Sequence, residues 1–413
     1  WKNKRCPVLV NNWEATFFDF NKSKLLDLSA CAADLGIELF VLDDGWFGKR
    51  NNDRCALGDW VANEEKLDGS LFALADQIRK QNMTFGLWFE PEAISEDSDL
   101  FRLHPDWALR IPGQKPALGR SQFILDLSRD DVVEYLTERL DQILKEVPIS
   151  YIKWDMNRSI CDKYSDLLPH QRQGEVAHRY VLGLYKILEK IVTDYPDILI
   201  EGCSGGGGRF DCGMLYYTPQ IWCSDNTDAI NRLKIQYGTS FCYPPRTIGS
   251  HVSVSPNQQT GRCSSLKTRA VVAMMGTFGY ELDIRKLSAD EKEEIRRQIS
   301  FIKKYGDLLF NGKYYRLSSP DDGCCGWCFV AKDGCEALVF AVYYNVEGNI
   351  LPTYFKVGGL MPDRKYHLYE TGWNGEKGLD VCMSGIALQN AGFLMPVPKK
   401  EGDSFIIHIK ETK

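Results

Sequence analysis

The stretch ILDLSRDDVVEYLTERLDQILKEVPISYIKWDMNR (Ile124–Arg158) carries the pattern from which the fold is read. A short apolar run, Ile124–Leu127, leads into an amphipathic helix over Asp131–Lys145 and then into a second β-rich run, Tyr151–Trp154. Ser128 with Asp131 is a close variant of the capping box, where a hydroxyl and an acid three residues later satisfy N–H groups of the first turn. The helix is thus bracketed by strands, and Asp155 stands directly beyond the second. Strand, helix and strand in that order are the unit from which parallel sheets are built.

The same alternation extends in both directions, from Pro7 to about Tyr305. Strands are expected at Val8–Asn12, Leu39–Leu42, Phe85–Phe89, Tyr151–Trp154, Ile198–Glu201, Ile221–Cys223, near His251 and at Tyr280–Leu282. Helices fall between them: from Lys22 to a stop at Gly36, through Leu71, Leu74, Ala75 and Ile78, then at Glu175–Val192, Asp228–Tyr237, Leu266–Met275 and Asp290–Lys304. The last begins with a second capping box, Ser288 with Glu291. Ile124–Leu127 is a ninth strand candidate and is placed outside the main sheet, in the long excursion after the third strand. Eight strands remain, which predicts an α/β chain folded as a (β/α)8 TIM barrel. After Asn311 helical periodicity disappears and short β-rich runs punctuated by Gly and Pro take over, from Tyr314–Leu317 to Phe405–Ile409. These predict a small antiparallel C-terminal β-sandwich. The expected domains are therefore 1–310, the barrel, and 311–413, the sandwich.

Composition narrows the classes. The chain has 413 residues, 44% hydrophobic and 12% aromatic, with 50 basic and 56 acidic side chains for a net charge of −6. Disordered, collagenous and coiled-coil chains are excluded. No basic footprint for nucleic acid or anionic lipid exists, and no apolar run reaches the ~18 residues of a membrane span. The chain opens at Trp1 without an initiator Met or a signal-peptide pattern, so it is expected to be part of something longer. The 14 cysteines mostly sit singly in apolar segments, as reduced buried thiols do, and a cytoplasmic location is expected. Cys324, Cys325, Cys328 and Cys335 raise a zinc site, but Lys332–Gly334 reads as the turn of a hairpin between them.

In such a barrel the working residues follow the strands. They are Asn11–Glu14 after the first, Asp43–Phe47 after the second, Trp88–Glu92 at the third, Lys153–Arg158 at the fourth, Glu201–Arg209 at the fifth and Trp222–Asp228 at the sixth. Carboxylates therefore crowd one rim beside Trp13, Trp46, Trp88, Trp154 and Trp222. Aromatic faces stack on sugar C–H faces and carboxylates bind hydroxyls, which favours a carbohydrate site over a metal–carboxylate barrel. The six histidines (His104, His170, His178, His251, His367 and His408) show no metal-ligand spacing; His178 reads as structural and His251 as a possible rim residue. Gly205–Gly208 lacks the Lys-Ser/Thr of a phosphate loop and suits a backbone brought close to a sugar. Glycoside cleavage needs two carboxyl groups, and Asp155 and Asp225 are the natural pair. Lys153 shares a strand face with Asp155 and would hold it ionised, which assigns Asp155 as nucleophile and Asp225 as acid/base.

At KWDMNR (Lys153–Arg158) the resemblance becomes specific. With LDDGWF (Leu42–Phe47), GLWFEPE (Gly86–Glu92), CSGGGGRFD (Cys203–Asp211) and SDNTDAI (Ser224–Ile230), the chain resembles the α-galactosidases of glycoside hydrolase family 36 from about Arg5 to Leu287, and more loosely to the C-terminus. The resemblance implies a retaining α-galactosidase acting on terminal α-1,6-galactose of melibiose and raffinose-type oligosaccharides. It likewise implies Asp155 as nucleophile and Asp225 as acid/base. Asp43 and Asp44 would bind the galactose 4- and 6-hydroxyls. Trp88, Arg120, Lys153, Asn157, Cys203 and Gly205 would make further sugar contacts, with Trp13 near the mouth. No metal or organic cofactor is implied, and family members form homo-oligomers, often tetramers. Family members carry a large N-terminal β-sandwich, which is expected to lie upstream of Trp1, and Gly202 stands where Ser is usual. Two other expectations stay open: a galactosyltransferase of the raffinose-synthase kind, and a barrel that binds sugar without turning it over.

Overall fold

Eight parallel strands close in chain order into a barrel in the computed structural model, which describes residues 1, 4–346, 348, 352–374 and 378–412. They are β1 (Leu9–Asn11), β2 (Leu39–Leu42), β3 (Thr84–Phe89), β4 (Ile149–Trp154), β5 (Leu199–Gly202), β6 (Gln220–Trp222), β7 (Ile248–Ser253) and β8 (Thr277–Glu281). Their near-continuous burial, with all of Leu39–Leu42 inaccessible, is what a sheet covered on both faces requires. Gly86 on β3 shows the tolerance of this packing: a Cβ there would come within 3.0 Å of the Tyr151 side chain on β4.

The connecting helices follow the expected signals where these are local. The helix Lys22–Leu35 is capped by the Asn21 side chain, which accepts from the Lys24 N–H. It stops at Gly36, whose φ of 88° returns its N–H to the Ala32 and Ala33 carbonyls. Ser288 and Glu291 form their reciprocal capping box at the head of Ala289–Asn311. The box expected at Ser128 does not form. That helix begins at Asp130, with Arg129 at the cap position and no side-chain cap. The Ser128 hydroxyl donates to Asp126 at 2.5 Å, and the Arg129 guanidinium takes Asp131 in a fork of 3.0 and 2.8 Å. Hydrogen bonds to charged partners outcompete the neutral cap.

The ninth strand lies outside the barrel, as placed, but two residues early. Gln122–Ile124 pairs antiparallel with Ala93–Ser95, and Leu125 instead donates its N–H to the Glu92 carbonyl at 2.9 Å.

Two units divide the described chain: one holds residues 1, 9–225 and 282–285, the other 4–8, 226–281 and 286–412. In the second, a six-stranded antiparallel sheet runs β9 (Lys313–Arg316), β10 (Cys324–Val330), β11 (Glu336–Tyr343), then β14 (Ser404–Glu411), β12 (Lys365–Thr371) and β13 (Asp380–Ser384). A ribbon of Tyr354–Phe355 with Phe393–Leu394 and the helix Gly385–Asn390 supply the facing layer, and Val339, Phe355, Leu368, Leu388 and Ile407 fill the core between. Side-chain alternation along β10 sends Cys324 and Cys328 to one face and Cys325 to the other, so the cysteines do not converge. Burial pushes the Cys324 and Cys325 thiols up to about 12, and no disulfide forms among the described residues. Among the described residues no helix is long and apolar enough to cross a membrane.

Candidate active site

Asp155 continues the line of β4, its N–H donating to the Phe89 carbonyl at 2.7 Å, and its carboxylate is buried at the barrel rim. One oxygen accepts from the Met156 N–H at 2.8 Å and the Gly205 N–H at 3.1 Å. The other accepts from the Trp88 indole at 3.2 Å and the Asn157 amide at 2.8 Å. Burial by itself raises a carboxyl's pKa. Here the Lys153 charge, then the Gly205 N–H and the Cys203 and Asn157 side chains, outweigh it and hold Asp155 below the ordinary carboxylate value. This carboxylate is kept ionised.

Asp225 sits beyond β6 in a different setting: its side chain is solvent-exposed, and the Trp222 indole donates to it at 3.1 Å. The thiol of Cys203, buried after β5, lies 4.0 Å from Asp225 and also bonds Asp155, so it stands between the two acids. The glycine run explains itself at this point. Gly206 and Gly207 have φ of 78° and 89°, and a Cβ on Gly207 would come within 2.6 Å of the Cys223 carbonyl; one on Gly206 would overlap the Asp225 backbone nitrogen. The loop's close approach is therefore to the chain carrying Asp225, and Gly205 points its N–H at Asp155.

Asp43 and Asp44 follow β2, both buried. Lys153 meets Asp43 at 2.7 Å and Asn11 donates to the same oxygen at 2.6 Å. Asp44 is gripped by Arg50 through Nε at 3.0 Å and a terminal nitrogen at 2.8 Å. Burial raises the Asp44 pKa against that pairing. Each carboxylate retains lone-pair positions for a ligand hydroxyl.

The structure brings Asp43, Asp44, Trp88, Lys153, Asp155, Asn157, Cys203, Gly205 and Asp225 into one linked set. Two others stand apart from it. Arg120 lies exposed on a loop at φ 50°, tied to the set through its charge on Asp44. Trp13 is half-buried, edge-on to Phe17 and Phe18. The expected crowd of stacking tryptophans is corrected: Trp46, Trp88, Trp154 and Trp222 are all buried. Their indole N–H groups act as donors, to the Trp88 carbonyl, Asp155, Glu92 and Asp225 respectively. His251 is buried and bonds Glu281 at 3.1 Å.

Two buried carboxylates of GLWFEPE stand at the rim outside the residues that the sequence assigns to the site. Glu92 accepts from the Trp154 indole, the Tyr180 hydroxyl and both terminal nitrogens of Arg209 at 2.6–2.8 Å. Glu90 holds both the backbone and side-chain amides of Asn157. Arg50 was missed altogether, since nothing in a loop sequence announces which acid its guanidinium will reach.

The melibiase family model matches residues 1–312, and the glycosyl hydrolase family 36 C-terminal domain matches residues 324–409. The chain belongs to the melibiase family. It is 50% identical over 389 residues to the α-galactosidase AgaA of Geobacillus stearothermophilus, covering 94% of this chain and 53% of that relative. It is 48% identical over 410 residues to the α-galactosidase Mel36A of Lactobacillus acidophilus, covering 99% and 55%. Among solved structures of the family, the GH36 α-galactosidase AgaB of Geobacillus stearothermophilus superposes with a TM-score of 0.94 at 48% identity, over 99% of this chain and 56% of that one. A variant of AgaA solved in complex with raffinose gives 0.95 at 47%, with the same coverage. This melibiase-family chain spans about half the length of the curated relatives it matches.

Proposed function

We propose that the protein is a retaining α-galactosidase that releases terminal α-1,6-linked galactose from melibiose and raffinose-type oligosaccharides. The observation that carries this reading is the contrast between the two rim carboxyls. Asp155 is buried, held by four N–H donors and kept ionised beside Lys153, as a nucleophile needs. Asp225 is exposed, where it can exchange protons with water, as an acid/base needs. In the first step the Asp155 carboxylate attacks the anomeric carbon while Asp225 gives its proton to the departing glycosidic oxygen. In the second, Asp225 takes a proton from water, which displaces Asp155 and leaves galactose with its configuration retained.

Asp43 and Asp44, fixed by Lys153 and Arg50, are assigned to the 4- and 6-hydroxyls, and the rigid pair would select galactose's axial 4-hydroxyl over the equatorial one of glucose. Trp88, Arg120, Asn157, Cys203 and Gly205 are assigned to the rest of the galactose site, and Trp13 to its mouth. The catalytic barrel is assigned to 1–310 and a β-sandwich domain to 311–413. The relatives' names and the raffinose complex of AgaA support the substrate class.

The test is chemical rescue. Asp155→Ala should lose hydrolysis of an aryl α-galactoside, and added azide should restore aryl release with β-galactosyl azide as product. Undiminished hydrolysis by the variant, or an α-configured azide, overturns the assignment.

A further inference from the structure

Glu90 is fully buried at the end of β3, and every hydrogen bond it accepts comes from an amide. Its Oε1 takes the Asn157 backbone N–H and, at 2.6 Å, the Gln122 side chain; its Oε2 takes the Asn157 side chain at 2.9 Å. That same Asn157 nitrogen donates its other hydrogen to Asp155 at 2.8 Å. One amide thus bridges two buried carboxyls, and its rotamer is set by Glu90, which holds Asn157 at both main chain and side chain. The main chain of Gln122 is itself held, its backbone carbonyl accepting from Arg158 at 2.7 Å, and the ribbon it belongs to anchors the arrangement.

We infer that Glu90 is a positioning residue for the glycosidic reaction, aiming the Asn157 amide at the Asp155 oxygen so that this carboxylate is both oriented and kept charged. The inference rests on the reading of Asp155 as nucleophile but has a readout independent of it. The charged groups bearing on Glu90 are Asp155, which repels its ionised form, and Arg50, whose charge it favours in return. Burial first, then Asp155, push the Glu90 carboxyl up to about 7. The aim of Asn157 therefore changes across neutrality: ionised Glu90 accepts from all three amides, whereas protonated Glu90 must turn one oxygen into a donor among donors.

Three measurements decide it. Glu90→Gln should lower kcat/KM for an aryl α-galactoside on the order of ten- to a hundredfold, the range commonly lost with a supporting hydrogen-bond partner. In a double-mutant cycle with Asn157→Ala, the double variant should be no slower than the slower single variant; multiplied effects mean Glu90 does not act through Asn157 and overturn the inference. By NMR, the backbone and side-chain amide resonances of Asn157 should titrate near neutral pH in the unmodified protein and not in Glu90→Gln; resonances that titrate identically in both also overturn it. Should Glu90→Gln fail to fold, Gln122→Ala, which removes one donor from Glu90, should move that titration midpoint upward, and an unmoved midpoint counts against the inference. An unmodified protein that hydrolyses no α-galactoside overturns the proposed function, while the NMR titration still judges Glu90.

Discussion

Lys153 faces one way along its strand and serves two carboxylates. It bonds Asp43 at 2.7 Å, and its charge is the first influence drawing Asp155 below the ordinary value against burial. Lys153→Met removes that charge and keeps the bulk. Asp155 then rises toward what its burial dictates, so the acid limb of kcat/KM should move to higher pH, by about one to three pH units for an adjacent opposite charge. A pH–rate profile on an aryl α-galactoside checks this; an unmoved acid limb with only KM raised means Lys153 binds sugar and leaves the charge of Asp155 to its N–H donors. This pair was legible in the sequence because residues two apart on a strand share a face. The indole donors were not. A tryptophan at a strand end shows that a ring is there, but the direction of its N–H depends on neighbours such as Trp88 to Asp155 and Trp222 to Asp225, drawn from other strands or folded back from the following loop.

At the level of elements, local signals read true and those decided by competition did not. The Ser288 box and the Gly36 stop need only their own turns of chain. The Ser128 box lost to Asp126 and Arg129, whose claims on the same groups emerge only after folding. The glycine loop lies between these cases: the run Gly205–Gly208 was visible, its target was not. Because Gly206 lies against the Asp225 backbone at φ 78°, Gly206→Ala forces a left-handed alanine and an overlap. The backbone term alone costs about 1–3 kcal/mol. Relief comes by shifting Asp225, so kcat should fall further than stability accounts for. Thermal unfolding and kcat measured together check this; a variant destabilised with kcat intact would show that the loop supports the fold without placing the acid.

For the whole molecule, a net charge of −6 says little about where the charges are, yet their burial makes a stability profile. Asp44 and Glu90 are pushed up by burial, Glu90 to about 7, whereas Asp155 is held down. The folded chain therefore keeps a proton on Glu90 that the unfolded chain has released at ordinary carboxylate pH. Stability from this group is complete below its unfolded value of roughly 4.3 and declines as pH rises to about 7. Asp155 works oppositely: its contribution is present above the unfolded value of roughly 3.9 and is lost as pH falls through its lower folded value. Between these limits the Glu90 contribution favours the folded chain more in mildly acidic than in neutral solution. Urea unfolding at about pH 5 and about pH 8 should show a higher midpoint at the lower pH, and Glu90→Gln, with nothing to ionise at that position, should narrow the difference. Equal narrowing in a surface variant such as Glu146→Gln, or no narrowing in Glu90→Gln, would place the proton elsewhere. The same buried carboxyl that holds Asn157 in place would then not be the one the fold strains to ionise.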